Sequence, residues 1–158
     1  MRARFLETHK LIVAAVPVNI TGVGFDGVWA SMREWNRAAI ILPAGAWAGG
    51  TSAIIVEQAT DFAAGGAKSL DIDWQQYVSL TSDVPSALNA VTSATFTVGT
   101  ANRCYVIDLW SDMLDVTNGF HTFRVRAATP GANADLLAAL YVMWDGRFQG
   151  DEHRTAIA

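Results

Sequence analysis

What constrains this chain most is how often its backbone is punctuated by turn residues. Between positions 22 and 131 it meets Gly22, Gly24, Gly27, Pro43, Gly45, Gly49-Gly50, Gly65-Gly66, Pro85, Gly99, Asn118-Gly119 and Pro130-Gly131. The segments between these breaks are short and rich in β-branched and aromatic residues, the pattern of an all-β sandwich or barrel. Thr95-Phe96-Thr97-Val98 alternates cleanly. So does Phe123–Ala127, which puts Arg124 and Arg126 on one face and the apolar side chains on the other. Ala38–Leu42 and Ile54–Val56 are continuous apolar runs and read as strands covered on both faces, while Cys104–Leu109 mixes the two patterns.

Two segments carry both signals. Val28–Ala39 sets Met32, Trp35 and Ala39 at helical spacing, yet Trp29 and Ser31-Met32 fit a strand and turn equally well. Both assignments stay open there. Ala134–Trp144 starts with helix formers and ends with strand formers. The preceding Pro130-Gly131 turn and the β-rich surroundings favour a closing strand over Leu137–Trp144.

At 158 residues, with 51% hydrophobic and 16% charged residues, the chain fits one domain with a true core, and its balance is the opposite of disorder. The expected organisation is an N-terminal arm (1–9), a β-rich domain (10–147) and a C-terminal tail (148–158), both ends polar or aperiodic and free to move or reach a neighbour. The apolar run Leu11–Val18 is interrupted by Pro17 and falls far short of the about 20 residues a membrane helix needs. Arg2 and Arg4 faintly mimic a secretory signal, but His9 and Lys10 abut the run and no small-residue cleavage site follows, so it reads as a first core strand. Asn19-Ile20-Thr21 is a glycosylation acceptor only in a secreted chain. A net charge of −4 disfavours a general nucleic-acid binder. The single cysteine, Cys104, makes no internal disulfide and sits in an apolar segment as an inert thiol.

Gly22-Val23-Gly24-Phe25-Asp26-Gly27 is a literal dinucleotide-binding fingerprint. Its context fails: Pro17 precedes it, Gly45-Ala46-Trp47-Ala48 stands where a ribose-binding acid belongs, and helices do not alternate with strands. It reads as a glycine-rich loop. Asp71 and Asp73, and Asp108, Asp112 and Asp115, lack the spacing of a calcium loop and read as solvated strand ends and turns. His9, His121 and His153 are far apart in sequence and no nucleophile elbow is present, so a small hydrolase built from Asp108, His121 and a nearby Ser or Asp is the remotest reading. No catalytic, cofactor or metal residues are assigned. Of the six tryptophans, Trp47 lies among alanines and glycines in an apparent loop and is the best candidate for a partner contact. Arg147 and Phe148, at the border of domain and tail, join it as candidate interface residues.

Three stretches share an order with a known group. The first runs from Val28-Trp29-Ala30-Ser31-Met32 to Ala38–Leu42 and Gly45; the second from Gly50 to Asp61, with Gly66–Leu70 behind it. The third runs from Asp112 to Phe120 and on through Phe123-Arg124-Val125 to Ala139–Val142 and Arg147. Over roughly residues 10–147 the chain resembles head decoration (cement) or minor capsid proteins of tailed bacteriophages and prophages. The resemblance implies a β-rich domain of sandwich, jelly-roll or barrel type, no enzymatic activity and no cofactor. It also implies self-association as a dimer or trimer, and contact with the major capsid protein on the outer surface of the virion after synthesis in the host cytoplasm. A phage tail, connector or receptor- or carbohydrate-binding module is the alternative.

Overall fold

The structure, a computed structural model, describes residues 5–91 and 93–147. A single helical turn, α1 (Phe5–Thr8), leads into strands β1 (Lys10–Asn19), β2 (Phe25–Asp26), β3 (Ala30–Ser31), β4 (Trp35–Trp47), β5 (Ser52–Ala59), β6 (Lys68–Ser69), β7 (Trp74–Ser79), β8 (Asn89–Ala90) and β9 (Thr95–Val98). Then come β10 (Arg103–Trp110), two short 3-10 turns at Ser111–Met113 and Val116–Asn118, β11 (Thr122–Ala127) and β12 (Asp135–Gly146). The first sheet has the order β1-β12-β4-β10-β7-β8. The second has the order β2-β11-β5-β6, with β3 also on β11 and β9 on β5. The chain is therefore an all-β, single-domain sandwich of two antiparallel sheets, as the turn spacing implies.

Several local expectations are corrected. Pro43 and Gly45 do not mark a turn: both lie inside β4, where Pro43 faces Cys104 of β10. An extended strand accommodates the fixed φ of proline, and the pairing of β4 with β12 is irregular nearby, between Asp135 and Leu137. Val28–Ala39 is not helical; it becomes β3, a turn and the start of β4. Residues 5–8 of the expected arm form α1, whose Phe5 ring stacks on His9 at 4.4 Å. The tail at 148–158 lies outside the described residues. The stretch Gly22–Gly27 is the end of a turn followed by β2 itself. Gly24, at φ 65°, approaches the end of β11 so closely that a Cβ there would collide with the Ala127 carbonyl.

Pro17 is tolerated because β1 is an edge strand whose pairing with β12 shifts register between Ala15 and Val18. The alternation of β9 and β11 appears as read, with Phe96, Val98, Phe123, Val125 and Ala127 inward. Leu137–Trp144 is a strand within β12.

The core fills the space between the sheets with Ile12, Trp35, Ile40, Leu42, Ile107, Leu137 and Tyr141 from the first and Ile54, Val56, Phe123 and Val125 from the second. Tyr141 is its largest fully buried member. Its ring packs on Phe123 at 4.8 Å, and its hydroxyl oxygen accepts the Val125 backbone N–H at 2.9 Å, a polar tie between the two sheets. Burial raises the Tyr141 pKa well above the usual phenol range, so the group stays a neutral phenol. Gly27 leaves room for this contact, since a Cβ there would sit 2.7 Å from the Tyr141 hydroxyl and 2.8 Å from the Val125 carbonyl. Tyr141→Phe leaves the Val125 N–H buried and unpaired, which costs about 1–3 kcal/mol. Urea unfolding should show a lower midpoint with an unchanged slope.

Candidate assembly surface

The two sheets differ on their outer faces. On the second sheet, Arg124 and Arg126 of β11 stand beside Glu57 of β5 and Asp26 of β2. Arg124 Nε reaches Glu57 at 2.7 Å, Arg126 Nε reaches Asp26 at 2.7 Å, and Arg126 also bridges to Glu57 at 3.0 Å. Arg124 adds a contact to Asp26 at 3.3 Å and lies over the Trp29 ring at 4.7 Å. Hydrogen bonding to Asp26 and then Glu57 raises the Arg126 pKa further. Thr95 and Thr97 of β9 continue this polar surface, which carries its own counter-charges.

The first sheet lacks such a face. Its register sets Val13 opposite Leu140, Leu140 opposite Ile41, Ile41 opposite Val106 and Val106 opposite Gln76, an almost wholly apolar row across five strands. The next row is Leu11, Val142, Ala39 and Asp108. Pro43, Cys104 and Val78 form a third, and Trp144, Arg37 and Trp110 a fourth. None of Leu11, Val13, Ile41, Val106, Leu140 and Val142 belongs to the inter-sheet core. They project to the opposite side, with Leu11 45% and Val13 55% exposed. Strict alternation places every second residue of these strands here, and the sequence supplies apolar residues at both parities.

At one corner the face is aromatic. The Arg37 guanidinium lies 3.7 Å from the centre of the Trp110 ring and 5.8 Å from that of Trp144, while α1 reaches Trp144 through His9. Trp110 is 47% exposed. At another corner, Pro43, Val78, Leu80 and Cys104 line a depression of about 270 Å³. Burial pushes the Cys104 thiol up, although the residue is only half-buried and lines this depression rather than the core.

The candidate residues chosen from sequence are placed differently. Trp47 is the last residue of β4, not part of a loop; it packs partly on the core, and its indole N–H donates to the Gly50 carbonyl at 3.1 Å. Arg147 lies beyond the other end of the same sheet, its Nε donating to Asn36 at 2.9 Å and its backbone N–H to the Glu34 carbonyl. β4 separates them by about 40 Å at ~3.3 Å per residue, so they form no common site. Phe148 lies outside the described residues. Asp108 projects from the outer face of β10, whereas His121 adjoins β11 in the second sheet with Nδ1 2.9 Å from the Gly119 carbonyl oxygen. No hydrogen bond or ion pair joins the two.

The other acids have structural surroundings. Asp71, Asp73 and Asp112 are exposed. Lys68 donates to Asp115 at 2.5 Å, and the Asn118 amide donates to both of its carboxylate oxygens at 2.8 Å. Asp135 is fully buried where β12 meets the end of β4, and one of its oxygens accepts the backbone N–H groups of Ala48 and Gly49. Sequence reasoning missed the outer face because a strand apolar at both parities reads as one buried on both sides. The usable signal was the register, which aligns the second parity of β1, β12, β4 and β10 into one surface.

No family model and no curated protein matches the chain. Among solved structures, the SPBc2 prophage-derived protein YomS is similar, with a TM-score of 0.46 and 4% identity over 87% of this chain and 93% of that one.

Two variants check these placements. Trp47→Ala should lower the melting temperature, because the ring is packed and hydrogen-bonded rather than displayed. For Asp115, the Lys68 hydrogen bond, followed by the one from Asn118, holds the carboxyl below its ordinary pKa of 3.8. The resulting stabilisation is present above that value and lost as pH falls through the depressed pKa. Urea denaturation should therefore show wild type above Asp115→Asn near neutrality, with the gap closing in acid.

Proposed function

We propose that this protein is a non-enzymatic structural component of a phage virion, which decorates the outer surface of the capsid and stabilises it by bridging major capsid subunits. The apolar outer face of the first sheet carries the reading. A sandwich needs one apolar face per sheet, and the outer face of the second sheet is mainly polar, with Ile55 and Ala53 set among its ion pairs and threonines. A second apolar face on the first sheet is a surface made to be covered by another molecule. The resemblance of residues 10–147 to capsid decoration proteins supplies the setting.

The mechanism is mechanical. Each copy contributes contact free energy that must be lost before internal DNA pressure separates the subunits. Because many copies act on one shell, each contact is effective even when individually weak.

The exposed rings of Trp74 and Trp110 favour one other reading, a tail, connector or carbohydrate-binding module, since aromatic faces suit sugars. Sedimentation with expanded, DNA-free capsids separates the two. The wild-type chain should pellet with the shells, and Leu11→Asp/Val13→Asp, which alters only exposed positions of an edge strand, should pellet much less. A chain that stays in the supernatant while binding tails or glycans overturns the decoration reading.

A further inference from the structure

We propose that the apolar outer face of the first sheet packs against the same face of a second copy of this chain in a two-fold dimer, with Arg37 of each copy meeting Asp108 of the other. The proposal takes the assembly surface just described and names its partner.

Area is the first argument. Five strands spaced by about 4.8 Å, with the Arg37–Pro43 rows rising about 3.4 Å per residue, give a footprint roughly 24 Å on each side. Side-chain relief brings the accessible area of such a patch toward the ~800 Å² per partner of a stable interface. Charge is the second. The apolar rows carry one cation and one anion, Arg37 on β4 and Asp108 on the adjoining β10, one row apart. Arg37 is held on the Trp110 ring, and Asp108, exposed, makes no hydrogen bond or ion pair among the described residues. An isologous interface places a patch against itself, so each residue pair occurs twice. A surface with one charge of each sign is then self-complementary, and both charges are paired by one operation. A lone carboxylate beside an apolar surface is costly to cover with an uncharged partner. Covering it with Arg37 of a second copy removes that cost. Pairing also makes each decorating unit bivalent, so variants that disrupt this face weaken capsid binding through lost avidity.

Sedimentation velocity on the full chain tests this. At about 100 µM the wild type should be dimeric, as a micromolar contact is saturated there. Asp108→Arg should raise the dimer dissociation constant at least about tenfold, because it sets like charges together twice. The double exchange Arg37→Asp/Asp108→Arg should return it to within about threefold of wild type. Val13→Asp, on the edge strand, should give a monomer whose thermal unfolding matches that of wild type diluted below its dimer dissociation constant. A wild-type monomer at this concentration, or a double exchange no better than Asp108→Arg, overturns the proposal. If that monomer still pellets with capsids, the pairing fails and the decoration reading stands. A dimer that ignores capsids has the opposite consequence.

Discussion

Strands β4 and β12 are apolar on both sides, and much of the rest of the molecule answers to that constraint. Inward, Ala38, Ile40, Leu42, Leu137, Ala139, Tyr141 and Met143 join the core. Outward, Ile41, Leu140 and Val142 form the middle of a surface that the second sheet cannot reach, because it occupies the other side. A pair of central strands with one polar face would have given a self-sufficient sandwich. This pair leaves apolar area on the outer face, which the proposed association would bury at about 25 cal/mol per Å² before the costs of docking.

The second sheet shows what the same fold does when a face is to remain in water. Its outward arginines are closed into a four-membered ion network with Glu57 and Asp26, and Arg124 is further held by Trp29. Charge there is spent internally and offers little to a partner. The first sheet spreads a single opposite pair, Arg37 and Asp108, over an apolar ground. The tie between the sheets, in which the Val125 N–H donates to the Tyr141 hydroxyl, helps to fix their relative placement.

The fold class was legible in the sequence because turn residues and strand formers alternate at short intervals, and the β11 alternation even gave the orientation of its arginines. Pro43 and Gly45 misled because turn chemistry is local, whereas β4 is held by β12 on one side and β10 on the other. Helical spacing at Met32, Trp35 and Ala39 was outweighed in the same way by sheet pairing. Trp47 was misread for lack of register: neighbouring alanines and glycines suggest a loop until Asp135 of β12 is seen opposite it. The site itself was hidden for a related reason. A continuous apolar run does not say which of its two faces is covered, and only strand order makes Val13, Leu140, Ile41 and Val106 neighbours.

Covalent footprinting of the protein on assembled particles, compared with dilute free chain, tests most directly whether this face is the one that association covers. The expected result is loss of labelling at Leu11, Val13 and Trp110, with Val23 and Val116, exposed elsewhere, still labelled. Undiminished labelling of the first three residues in particles that contain the protein would contradict the account.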